Sequence, residues 1–210
     1  MHSRRSVHLS PSQPSPAPPL SRASLVIGLY AAMALLGLLI AAGRGNPDLY
    51  RLGEPTGWLL LASPPLGVAV GLVVVGLTRL GTRHVAWVRT LHVSFRDLLG
   101  PLAGRDILII ALASSIGEEL LFRGALLPWI GVWPQGVVFA LLHVGPGKRF
   151  VPWTASALAL GVAFGALAQE TGNLGAPIAA HFTINFLNLH YIVRTPASAL
   201  PRPRRRAPAT

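Results

Sequence analysis

Apolar residues run in long blocks along this chain, with few charges inside them. From Ser24 to Ala42 no charged side chain interrupts a stretch that, at about 1.5 Å per residue, spans the roughly 30 Å hydrocarbon core of a bilayer. A secretory signal peptide is the competing reading, because Ala41-Ala42-Gly43 resembles a cleavage site, but the apolar run exceeds the roughly 7–15 residues such a peptide carries. Trp58 to Leu77 forms a second block, entered through Pro64-Pro65, and Asp106 to Leu127 a third. Gln135 to Val144 is apolar but short, so a fourth span must begin within the preceding tryptophan turn, Pro128 to Pro134, or be a broken helix buried by its neighbours. Pro152 to Ala168 and Leu174 to Val193 complete the series. The pattern predicts an all-α fold, a polytopic membrane helix bundle of about six transmembrane helices.

The connections give that bundle an orientation. Thr78 to Arg105 carries Arg79, Arg83, Arg89, Arg96 and Arg105 against Asp97 alone, which marks a cytoplasmic loop by the positive-inside rule. Within it Val85, Val88, Leu91, Phe95, Leu98 and Leu99 recur at helical spacing, which fits either an interfacial amphipathic helix over 85–100 or a solvated loop helix. A second basic breaker, Gly145 to Arg149, falls on the same side. Residues 1–23 and 194–210, rich in Pro, Ser and Arg, read as disordered basic tails. The chain then divides into the tail 1–23, two helices and a loop over 24–105, a membrane domain over 106–193, and the tail 194–210, with both termini cytoplasmic.

Composition sharpens this. The 210 residues are 51% hydrophobic and 12% charged, about half the charge of an ordinary soluble domain. The net charge of +11 does not point to nucleic acid, because the arginines lie in tails and short connections rather than interleaved with aromatics on one face. The absence of Cys excludes disulfides, thiolate metal sites and cysteine nucleophiles.

Against that background the polar residues inside the apolar blocks need a reason, since a charge at the bilayer centre costs about 2.5–3.5 kcal/mol on insertion scales. Three groups stand out: Glu118-Glu119-Leu-Leu-Phe122-Arg123, Phe139-Ala-Leu-Leu-His143, and His181-Phe-Thr-Ile-Asn185. Glu119 and Arg123 are four apart with Glu first, the order that favours an intrahelical ion pair. Glu118 points about 100° away and is the less neutralised carboxylate. Counted from the outer helix ends, Glu118, His143 and His181 lie at depths of about 15, 12 and 10 Å, which lets them meet in one layer and suggests the outer half. His2, His8, His84, His92 and His190 lie in tails, loops or a span end and are assigned no role.

These three motifs, in this order and each in its own span, resemble the CPBP family of intramembrane proteases, which includes the CAAX prenyl endopeptidases and bacterial Abi-type proteins. The resemblance covers about residues 106–190. It implies an intramembrane endopeptidase in which Glu118 and His143 activate a water while His181 and Asn185 stabilise the oxyanion. Glu119 and Arg123 are expected to be supporting, and Phe122 and Phe139 to pack around the site. The family has been described as metalloproteases, so zinc on Glu118, His143 and His181 is the alternative; a metal-free glutamate mechanism is favoured because no His-Glu-x-x-His is present and Asn is a poor zinc ligand. The implied partners are a membrane protein or peptide substrate and the lipid bilayer, in a bacterial cytoplasmic membrane. Two other classes are weighed: a proton-coupled transporter, which should carry an internal repeat that is not legible here, and a non-enzymatic scaffold or immunity protein, which would tolerate loss of Glu118.

Overall fold

The computed structural model describes residues 22–53 and 57–200. Over 1–21 and 201–210 the expected basic tails lie outside the described residues, while Ala197–Ala199 form a 3-10 turn and Leu200 is buried. The described residues form seven helices and no strand beyond a single isolated bridge. They are α1 (Arg22–Gly43), α2 (Gly57–His84), α3 (Ala86–Leu99), α4 (Gly104–Ile130), α5 (Val132–Leu141), α6 (Val151–Thr171) and α7 (Gly175–Arg194).

Three helices are long and apolar enough to cross a membrane, over Ala23–Gly43, Gly57–His84 and Lys148–Thr171, or up to four if the bent pair α3 and α4 is one span. Of the six spans expected, α4 and α7 fall outside the three because each carries polar side chains in mid-helix, and these are the helices that bear Glu118, Glu119, Arg123, His181 and Asn185. α5 falls outside because it has only 10 residues. It does begin within the tryptophan turn, at Val132, and it stops at Leu141.

Two parallel helix pairs build the bundle. α2 lies along α7 through glycines: a Cβ on Gly67 would sit 2.0 Å from the Ala176 carbonyl oxygen, and one on Gly71 would meet Thr183 at 2.7 Å. Such small-residue contacts let backbones approach without a hydrophobic drive, which lipid does not supply. At the far end of this pair Arg79 donates to the Leu187 carbonyl and to Asn188 Oδ1, each at 2.8 Å. Pro64 and Pro65 sit inside α2 without ending it. α1 lies along α4 in the same sense, with Tyr30 against Gly117, Gly37 against Leu120 and Leu121, and Arg44 donating to the Pro128 carbonyl.

One end of the bundle is closed by the segment after α1, where Leu52 N–H bonds the Gly172 carbonyl and Leu174 N–H the Tyr50 carbonyl, both at 2.9 Å. The other end is closed by α3, the helix expected over 85–100, which turns 107° from α4. Its Phe95 meets Phe150 and Trp153 edge-on at 5.2 and 5.0 Å, and its Arg96 donates to the Ile192 and Val193 carbonyls at the end of α7. Those carbonyls have no intrahelical partner, so basic side chains complete the helix there. Because α4 and α7 run antiparallel, the start of α1 and the end of α7 share this end.

Candidate active site

The site begins in α4, which changes its winding at the acidic motif. It is α-helical to Glu119, π-helical over Leu120–Leu126, and α-helical again over Leu127–Ile130. The wider turn, in which Leu127 N–H reaches back to the Phe122 carbonyl, buries Leu121, Phe122, Arg123, Gly124 and Ala125 in succession. An ordinary helix would swing one or two of five neighbours outward.

Glu119 and Arg123 are both 0% exposed, and an Arg123 Nη donates to Glu119 Oε1 at 3.0 Å. The other Nη donates to the Gly161 carbonyl at 3.1 Å, a carbonyl shared with Gln135 Nε2 at 2.8 Å. The guanidinium also lies over the Phe139 ring at 4.5 Å, and Phe122 and Phe139 meet edge-on at 5.0 Å. The pair is thus set in aromatic and backbone groups of α4, α5 and α6.

Glu119 does a second thing that its spacing did not reveal. His181 Nδ1 lies 2.8 Å from the same Oε1. An ionised carboxylate only accepts, so His181 Nδ1 carries the hydrogen and donates. His143 is fixed by the same logic: its Nδ1 lies 2.7 Å from the Phe139 carbonyl, which also only accepts. Both rings therefore present Nε2 to the interior.

The atom they face is Glu118 Oε2, at 3.7 Å from His143 Nε2 and 3.8 Å from His181 Nε2. Both gaps are too long for a direct hydrogen bond, and Oε2 is buried without a partner. Tyr30 of α1 packs against Gly117, the residue before Glu118. Neutral imidazole Nε2 atoms and a carboxylate oxygen are all acceptors, so their convergence leaves a place for a group that brings hydrogens.

Asn185 stands one turn along α7 from His181, and its Nδ2 donates to Ser114 Oγ at 2.9 Å, one turn along α4 from Glu118. One of its two amide hydrogens is left for another acceptor. Of the expected site residues, Glu118, His143, His181, Glu119, Arg123, Phe122 and Phe139 form one cluster, and Asn185 joins it through Ser114.

His143 departs from expectation in place. It lies in the turn beyond α5 rather than inside a span, with its N–H on the Ala140 carbonyl and its own carbonyl accepting from Thr154 Oγ1 at 2.8 Å. The breaker Gly145-Pro146-Gly147 stops the helix early, and the imidazole caps the freed Phe139 carbonyl. The ring stacks on Phe139 at 4.3 Å and meets Trp153 at 5.3 Å. Its side chain is 20% exposed against 8% for Glu118 and His181, so the site opens past His143, toward the end that carries α3, Lys148 and Arg149. The expected outer-half placement assumed His143 well inside a straight span.

Zinc was the alternative cofactor. Among the described residues no group of three His, Asp or Glu side chains is placed to hold a metal ion. Ser114 was missed from sequence; its place one turn before Glu118 was the only available signal.

Comparison with known proteins agrees with the motifs. Residues 102–187 match the family model described as type II CAAX prenyl endopeptidase Rce1-like, consistent with a CPBP intramembrane protease. A protein of Bacillus subtilis (strain 168), the uncharacterized protein YpbD, is 37% identical over 82 residues, which are 38% of this chain and 41% of that protein. The chain thus spans about two fifths of the length of that curated relative. No solved structure matches. With its apolar helices the chain is an integral membrane protein. The matched segment contains all three motifs and excludes α1 and α2.

Proposed function

We propose, from the match of residues 102–187 to the Rce1-like peptidases, that this chain is an intramembrane endopeptidase hydrolysing a peptide bond of a membrane-associated protein or peptide through a water activated by Glu118 and His143. The observation that carries this reading is the buried, unpartnered Glu118 Oε2 set 3.7 and 3.8 Å from two Nε2 atoms whose rings are held by their Nδ1 hydrogens.

The two histidines divide the work by their surroundings. His181 lies between two carboxylates, Glu119 on Nδ1 and Glu118 beside Nε2. His143 has a carbonyl on Nδ1 and offers Nε2 as an acceptor. A water between Glu118 Oε2 and His143 Nε2 donates one hydrogen to each. Glu118 takes the proton as the water oxygen attacks the peptide carbonyl carbon, and His181 with the free Asn185 amide hydrogen stabilises the developing oxyanion. Glu118 then passes the proton to the departing amine as the C–N bond breaks, and the water's second hydrogen, held at His143 Nε2, leaves the new carboxyl group by way of that nitrogen, giving a carboxylate and a new N-terminus.

The common end shared by the start of α1 and the end of α7 supports placing both termini, α3 and the basic turn at Lys148 and Arg149 on the cytoplasmic side, in a bacterial cytoplasmic membrane. The experiment is to map the N-termini of membrane proteins by mass spectrometry in cells carrying the wild-type chain, Glu118→Gln or His143→Ala. New termini that depend on both residues are expected. A terminus profile unchanged by either substitution, at equal expression, would sink the reading. Repeating cleavage with chelator-treated purified protein separates the cofactor readings: retained activity supports the glutamate mechanism, and loss restored by zinc supports the metal.

A further inference from the structure

Gln135 belongs to none of the three motifs, yet it is 0% exposed and is the only amide side chain of α5. An amide buried in an apolar bundle needs hydrogen-bond partners. Its Nε2 has two, both carbonyls: Val132 of its own helix at 3.0 Å and Gly161 of α6 at 2.8 Å. A carbonyl only accepts, so both amide hydrogens are used and the nitrogen end is fixed toward α6; Oε1 has no partner. Glycines make the room for this. A Cβ on Gly165 would stand 2.7 Å from Gln135 Nε2, and one on Gly136 would stand 2.9 Å from Val162 Cγ2, so α5 and α6 meet closely at the amide.

The Gly161 carbonyl is where this contact joins the site. It also accepts from an Arg123 Nη at 3.1 Å, the other Nη donates to Glu119 Oε1 at 3.0 Å, and the same oxygen accepts from His181 Nδ1 at 2.8 Å. Gln135, Arg123 and Glu119 are each 0% exposed, so no solvent reaches these links to absorb a change. Each link restricts the next. The carbonyl held by Gln135 sets where one Nη ends, the planar guanidinium then sets the other, and Glu119 Oε1 sets the direction in which the His181 ring presents Nε2.

We propose that Gln135 is a positioning residue for His181, acting from α5 through the Gly161 carbonyl, Arg123 and Glu119. The hydrogen-bonded chain stands by itself, and its catalytic consequence rests on the proteolytic reading above.

The test replaces Gln135 by Met, which keeps length and bulk and removes the amide, in purified protein in lipid nanodiscs with isotope-labelled histidine rings. The Nδ1–H magnetic resonance signal of His181, identified by its loss in His181→Gln, is expected to shift in Gln135→Met. It is expected to shift likewise in Gly165→Ala, whose added Cβ displaces the amide from the α6 side and which serves alone if Gln135→Met does not fold. The Nδ1–H signal of His143, held by the Phe139 carbonyl of α5 itself, is expected to stay. The rate at which new membrane-protein termini appear in cells, per folded molecule, is expected to fall about threefold to tenfold, the scale of one neutral hydrogen bond. An unmoved His181 signal or a wild-type rate would overturn the proposal, as would a joint shift of both histidine signals, which marks displacement of α5 as a whole. If wild type and Glu118→Gln give the same termini, proteolysis fails while the two histidine signals still decide the place of Gln135.

Discussion

Glu118 and Glu119 are neighbours in the chain and share almost nothing else. Glu119 is fully buried, and its Oε1 takes hydrogens from both Arg123 and His181; around it α4, α5 and α6 are joined through Arg123, Gln135 and the Gly161 carbonyl. Glu118 faces His143 and His181, its Oε2 lying 3.7 and 3.8 Å from their Nε2 atoms; like Glu119 Oε2, that oxygen has no hydrogen-bond partner. What separates the two is that Glu118 Oε2 faces two imidazole nitrogens across gaps that a small group could bridge, whereas Glu119 Oε1 is already taken by two donors. The difference separates framework from chemistry within one peptide unit.

Arg123→Gln attacks the framework side. It strands Glu119 and is expected to cost about 3–5 kcal/mol, read as a large drop in melting temperature in nanodiscs with activity lost alongside. Asn185→Ala attacks the chemical side: removal of an oxyanion donor lowers kcat by about 10²–10³-fold, while KM and thermal stability hold. Gly67→Ala leaves both carboxylates alone and pushes α2 off the Ala176 carbonyl; a loss of about 1–3 kcal/mol in stability is expected, with the cleavage rate per folded molecule unchanged. Ser114→Ala sharpens the comparison most finely. It frees Asn185 from its partner and should change stability by about 1 kcal/mol or less, with a several-fold fall in kcat measured at saturating substrate.

Much of the site could be read from spacing, because spacing is a local property of helices. The four-residue interval from Glu119 to Arg123 implied their pairing and left Glu118 free, and the same interval set His181 and Asn185 on one face. What spacing does not encode is the partner across a helix boundary. His181 binds Glu119 across 62 positions and Asn185 binds Ser114 across 71, and neither contact follows from either helix alone. The fold was legible where apolarity was continuous, in α1, α2 and α6. It was less so where polar residues interrupt the blocks, in α4 and α7, because the side chains that carry the site also weaken the hydropathy that marks a span. The π-helical turn had no signal in sequence, and the turn at Gly145 to Gly147 moved His143 out of the helix in which periodicity had placed it.

The central claim is that Glu118 carries the chemistry and Glu119 the frame. Glu118→Gln and Glu119→Gln, made side by side, test it most directly when the appearance of new membrane-protein termini and the melting temperature of the purified chain are both measured. The account predicts that Glu118→Gln loses about 10²–10⁴-fold in cleavage at an unchanged melting temperature, and that Glu119→Gln loses stability and cleavage together. Full cleavage by Glu118→Gln, or a Glu119→Gln protein as stable as wild type, would contradict it.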